Sequence, residues 1–257
     1  CRGVTVATIL LIFLLYKEGF AFRHNFKRVG LSGLLGGISL ALAFIFFIFG
    51  MTYTSAATTL FMIGTQPLFA GLFAFIFLRE YVRAATLIAC LISLGGMFIM
   101  AYSDWQSGTL LGWTFGLFCS ISFAIFAVTL RWQPDTPKFT TIMISGVVCA
   151  LFSVIMISLF SGEFSMPLKN VLLSILHGSF VASGLILLSI GSKYLPAAEF
   201  MLLSLTEVVG GVLWCWIPFF GVNEVPQIYT MLGGLIIIFS IAFHAIGTRQ
   251  KAVPPTL

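Results

Sequence analysis

Runs of apolar residues recur along the chain, separated by short polar breaks. They cover roughly residues 4–16, 31–50, 54–78, 84–102, 110–130, 139–160, 171–190, 196–219 and 228–246. A stretch of about 20 such residues crosses a hydrocarbon core of about 30 Å as an α-helix. The period-two alternation of membrane-barrel strands is absent. The pattern predicts an all-α polytopic membrane protein, with nine helices present. The breaks hold most of the charges and the helix-stopping residues Pro134, Pro137, Pro167 and Pro226. Residues 249–257 are polar, contain two prolines, and are expected to form an unstructured tail.

Composition sharpens this picture. Of 257 residues, 60% are hydrophobic and only 8% charged, against about 25% charged in a soluble domain. Mean hydropathy is +1.11. The net charge of +5 comes from unequal loops. Lys17, Arg23, Lys27, Arg28, Arg79, Arg83, Arg131, Lys138, Lys193, Arg249 and Lys251 fall on one side, and Arg2 and Lys169 on the other. The positive-inside rule makes the first side cytoplasmic, and with it the C-terminus. The basic residues are scattered rather than interleaved with aromatics, so no nucleic-acid surface is expected. Cys1, Cys90, Cys119, Cys149 and Cys215 include no C-x-x-C pair. They predict neither a metal site nor a disulfide framework.

The chain also repeats itself. GMTYTSAA (50–57) is similar to GSKYLPAA (191–198), and the ungapped match runs from residues 33–72 onto 174–213. It pairs Gly37 with Gly178, Ala41 with Ala182, Gly50 with Gly191, Tyr53 with Tyr194, and Thr65-Gln66 with Thr206-Glu207. The matched helices are five crossings apart and therefore run in opposite directions, which is the inverted repeat of secondary transporters. Two apolar segments precede the second copy and one precedes the first. We therefore expect one further helix ahead of residue 1, giving two five-helix bundles in a ten-helix carrier. Residues 1–103 form the first repeat, 104–248 the second, and 249–257 a cytoplasmic tail.

YTSAATTLFMIGTQPLFAGLFAFIFLRE (53–80), YLPAAEFMLLSLTEVVGGVLWCW (194–216) and NEVP (223–226) resemble the drug/metabolite transporter superfamily, most of all its EamA-type members. The resemblance covers nearly the whole chain. It departs at the absent first helix and at Ala89, where a glycine is common. It implies a central cavity opened alternately to each side. Many such relatives export amino acids and other small metabolites; some export drugs or take metabolites up.

Glu207 is the residue that most needs explaining. It lies near the middle of an apolar segment, where a carboxylate costs about 2.5–3.5 kcal/mol on insertion scales. It needs a cavity, a partner or a proton, and so reads either as a proton-coupling, substrate-binding group or as a protonated interhelical hydrogen-bond donor. Ser204, Gly211 and Trp214 share its helix face. Trp214 reads as a wall for a flat ligand or as packing bulk. Thr65 and Gln66 are the repeat partners of Thr206 and Glu207, and Gln66 is either a ligand contact or interhelical glue. Pro67 cannot donate to the carbonyl of Ile63, so a kink is expected there. His177 reads as a packing histidine or as a substrate contact. Glu80 and Glu224 are expected to be solvated, Glu199 to reach water or headgroups, and His24 and His244 to be incidental.

These residues point to a secondary transporter in the plasma (bacterial inner) membrane. It would move an amino acid or other small metabolite or drug-like solute, exporting it with protons as coupling ion. An importer of the same fold, a membrane-embedded transferase and a non-transporting scaffold are the alternatives. No phosphate-binding glycine loop is present, so ATP drive is not encoded here. No enzyme activity, cofactor or metal is expected, and the partners are a small-molecule substrate and the lipid bilayer, with the chain as a monomer.

Overall fold

A computed structural model describes residues 1–54, 56–102, 109–133, 135–160, 167–210 and 228–248. No strand occurs among them. In order they form α1 (Arg2–Glu18), α2 (Arg23–Arg28), α3 (Gly30–Tyr53), α4 (Ala56–Ile63), α5 (Gln66–Phe73), α6 (Ala84–Ala101), α7 (Leu110–Trp132), α8 (Lys138–Phe160), α9 (Leu168–Gly191), α10 (Ala197–Ser204) and α11 (Ile228–Thr248). A 3₁₀ turn, Gly19–Phe22, joins α1 to α2, and Ala74–Leu78 extends α5 as a π-helix. Among the described residues, seven helical stretches are long and apolar enough to cross a membrane. In addition, α1, with 17 residues, sits at the short limit for a crossing. This is an integral, multi-pass, all-α membrane protein. Helices dominate because lipid offers no partner to an unpaired backbone N–H or C=O.

Most predicted segments appear as single helices, shifted by a few residues. The stretch 54–78 does not. It breaks at Gly64–Thr65, between α4 and α5. The chain from 196 breaks as well: α10 ends at Ser204, Leu205 is a turn, and residues 206–210 are helical again. Thr65 and Thr206, repeat partners in the sequence, thus both stand at a helix break. The remainder of the 196–219 segment, with Trp214 and Cys215, and the 249–257 tail lie outside the described residues.

Two compact units emerge, and they do not follow the sequence halves. One comprises Cys1–Ile45 with Ile125–Leu195; the other comprises Phe46–Ala124 with the chain from Pro196 onward. Each draws on residues from both halves of the chain.

In the first unit, α1 packs against α8 and α9. Gly3 stands against Gly146: a Cβ on Gly3 would lie 2.8 Å from the Gly146 carbonyl oxygen. Phe13 meets Phe139 edge to face at 5.1 Å. These two contacts make α1 and α8 antiparallel. Ser32 Oγ donates to the Thr129 carbonyl (2.9 Å), and Arg2 donates to the Phe44 carbonyl (2.8 Å), tying α3 to α7 and to α1 within this unit.

In the second unit, α6 and α11 form the main contact. Gly96 faces Gly233, and Ser93 and Ser240 share a hydrogen bond, so this pair is also antiparallel. Lipid tails are as apolar as leucine. Helices therefore associate through close packing of small residues and interhelical hydrogen bonds rather than by leaving water. Ala89, Cys90, Met97, Met100, Leu202, Leu205, Val208 and Ile237 form the buried core of this unit, with Leu60, Phe61 and Leu68 packed on it.

Candidate functional site

The two helix breaks border that single core. Leu60, Phe61 and Leu68 flank the break at Thr65, and Leu205, Val208 and Val209 flank the break at Thr206. α5 also packs against α10. The neighbours of Thr65 and Gln66 in the chain thus pack on the same core as the neighbours of Thr206 and Glu207.

Each break frees backbone carbonyls, and hydroxyl side chains take them up. Thr65 Oγ1 donates to the Met62 carbonyl (2.6 Å), Ser204 Oγ to that of Met201 (2.8 Å) and Thr206 Oγ1 to that of Leu203 (2.8 Å). Such back-bonding satisfies the carbonyl locally and stabilises a bent or interrupted helix. Pro67, in the first turn of α5, is tolerated there because a first-turn N–H has no helical acceptor in any case. Thr65 Oγ1 also shares a hydrogen bond with Ser120 Oγ of α7 (2.7 Å).

Gln66 is 2% exposed, and its Oε1 finds no hydrogen-bond partner among the described residues. A buried amide oxygen left unpaired costs about 1–3 kcal/mol. It is an acceptor held ready for a donor. Thr206 and Glu207 are exposed on the surface of the second unit, while Ser204 is half-buried. His177 belongs to the first unit, on an exposed face of α9. Gly178, beside it, is buried against Thr5 of α1. Trp214 lies outside the described residues.

Two groups expected to reach water or to be incidental prove otherwise. Glu199 and His244 are each only 5% exposed. His244 Nε2 lies 3.8 Å from Glu199 Oε2, and Arg83 Nε lies 3.9 Å from Glu199 Oε1. Glu80, Arg83 and Glu199 line one small cleft, and Glu80 Oε2 is buried. Glu199 sits in the first turn of α10, Arg83 caps the start of α6, and His244 lies near the end of α11. Helix packing brings these ends together. No local motif announces the cluster. The available signal was an acid and a histidine, each alone in an apolar stretch. Glu199→Gln is expected to lower stability by about 1–2 kcal/mol, the scale of one impaired buried polar contact. The readout is the thermal unfolding midpoint of the purified protein, and an unchanged midpoint would show that the cluster carries no stability.

Residues 2–102 match the EamA-like transporter family, in keeping with the drug/metabolite transporter superfamily. A solved crystal structure superposes with a TM-score of 0.75, covering 98% of this chain and 87% of its own, at 16% identity. At that identity the likeness establishes the fold alone. No curated protein matches the chain.

Proposed function

We propose, from the EamA-like match of residues 2–102, that the protein is a secondary active transporter. It carries a small metabolite or drug-like solute, in the class of amino acids and related compounds, across the plasma membrane by alternating access. We read export from the resemblance, and a cytoplasmic C-terminus from the loop charges.

One observation carries this reading: two interrupted helices, paired by the sequence repeat, border a common core and hold an unpartnered buried Gln66 and a carboxyl group, Glu207. Discontinuous helices of inverted repeats are where secondary carriers build their solute and ion sites. Antiparallel packing of repeat counterparts supports the same reading. α6 lies against α11 across Gly96 and Gly233, and α1 lies against α8 across Gly3 and Gly146. In this mechanism Gln66 Oε1 accepts a hydrogen bond from a solute ammonium, amide or hydroxyl group. Thr65 and Ser120 hold the break in shape, and Glu207 takes up and releases the coupling proton.

The test is counterflow in proteoliposomes. Vesicles loaded with one unlabelled solute at a time are expected to accumulate the labelled form transiently, with no added energy source. A screen of amino acids, nucleosides and organic cations covers the solute class. Absence of counterflow with every class, in correctly inserted protein, would falsify the carrier reading. Chemical conversion of the solute would replace it with an enzyme.

A further inference from the structure

The first unit holds a cavity of about 290 Å³ at one end. It lies among the ends of α1, α8 and α9, on the side that the loop charges assign to the cytoplasm. Three lysines line it: Lys17 from α1, Lys138 from the first turn of α8, and Lys193 just beyond α9. Glu18 is the acid on the lining, and it already accepts a hydrogen bond from Asn25.

The cationic character is built in rather than a solvated fringe. Lys138 is 9% exposed and donates to Ser192 Oγ (2.9 Å). Ser192 Oγ in turn donates to the Ser189 carbonyl (2.8 Å), so the serine holds the ammonium in place. An ammonium has three donors, and this bond uses one of them. Lys193 and Arg131 stand close enough to repel its charge. Burial of one cation beside two others is costly unless an anion joins them. Lys17 and Lys193 are exposed at the mouth.

Two hydroxyl-bearing residues stand beside the lysines on the lining. Thr140 Oγ1 and Ser189 Oγ, on residues 0% and 1% exposed, have no hydrogen-bond partner among the described residues. Both residues line this cavity. The start of α8 forms part of its wall, with no acidic residue in the first turn to occupy the free N–H groups.

We propose that this cavity binds a phosphate group, presented either by an anionic phospholipid headgroup or by a soluble phosphate ester. Lysine donors and helix N-terminal amides suit an anion with several acceptor oxygens on one centre. A carboxylate offers only two. Phe13, Leu14 and Ile190 on the same lining accept the apolar part next to the phosphate. Basic pockets between membrane helices on the cytoplasmic side bind anionic headgroups in this way. The site lies within the first unit, whereas Gln66 and Glu207 belong to the second.

The experiment uses the purified protein in phosphatidylcholine nanodiscs. One arm adds phosphatidylglycerol to the nanodisc. The other titrates inorganic phosphate and glycerol 3-phosphate. Binding is read as lipid retained in native mass spectra and as a rise in the unfolding midpoint. One arm is expected to show saturable binding: the phosphatidylglycerol arm identifies a lipid headgroup, and the soluble arm a phosphate ester. The double substitution Lys17→Gln/Lys193→Gln changes two exposed side chains and is expected to weaken that binding at least about tenfold, or about 1.4 kcal/mol. Lys27→Gln/Arg28→Gln removes equal charge off the cavity and is expected to change it less than about twofold. Saturable binding in neither arm overturns the proposal. So does equal loss in the two double variants, since that marks diffuse attraction.

Discussion

Glu207→Gln is expected to abolish gradient-driven flux while leaving membrane insertion and the unfolding midpoint unchanged. The substitution keeps the shape and most of the hydrogen-bonding capacity of the side chain, and removes only its ability to release a proton. Glu207 is exposed on its unit. The discriminating measurement compares two modes in the same proteoliposomes. Counterflow, which needs solute binding and alternation alone, should persist if Glu207 carries only the proton. Accumulation driven by an imposed pH gradient should fall to the level of empty vesicles. Loss of both modes would assign Glu207 to the solute as well. Full gradient-driven accumulation in the variant would remove Glu207 from coupling altogether. Either outcome decides between roles that the sequence leaves open, because a carboxyl group in an apolar helix serves all of them.

Gly233→Val is expected to destabilise the second unit by more than about 3 kcal/mol, beyond the usual overpacking range. A Cβ on Gly233 would run into the carbonyl oxygen of Gly96 and into Met100 Cγ, and a Cβ on Gly96 would lie 2.8 Å from the Gly233 carbonyl oxygen. The obstacle is backbone, which cannot swing aside as a flexible side chain can. Relief requires α6 and α11 to separate, and with them the adjoining Ser93–Ser240 hydrogen bond and the core around Met97 and Ile237. Thermal unfolding of the purified protein, followed by loss of monodispersity, gives the readout. Gly234→Val is the matched control, since a Cβ there meets nothing within 4 Å. An equal drop in both variants would mean that the cost arises from the β-branched residue and not from the helix contact.

Much of the fold was legible in the chain itself. The segment 84–102 became Ala84–Ala101, and 110–130 became Leu110–Trp132. Pro67 marked the stretch where a helix breaks: the break falls at Gly64–Thr65, between Pro67 and the Ile63 carbonyl that it cannot reach, and the Thr65 hydroxyl bonds back to the Met62 carbonyl there. The candidate site was legible in part. The pairing of Thr65-Gln66 with Thr206-Glu207 is a sequence observation; the packing of the stretches that carry them, through Leu68 and Leu205, is not. The burial of Glu199 and His244 is not legible in the chain, because position near a segment end says nothing about what packs over that end.

The sequence by itself determined that the chain is an all-α polytopic membrane protein and where most of its apolar helices fall. Those properties are local: the bilayer imposes length and apolarity on each segment alone. Only the tertiary structure decided which helices touch. Lipid-facing and helix-facing apolar surfaces have the same composition, so hydrophobicity carries no address. Partners are chosen by fit instead, at Gly96 against Gly233, at Glu199 against His244, and at three lysines gathered around one cavity.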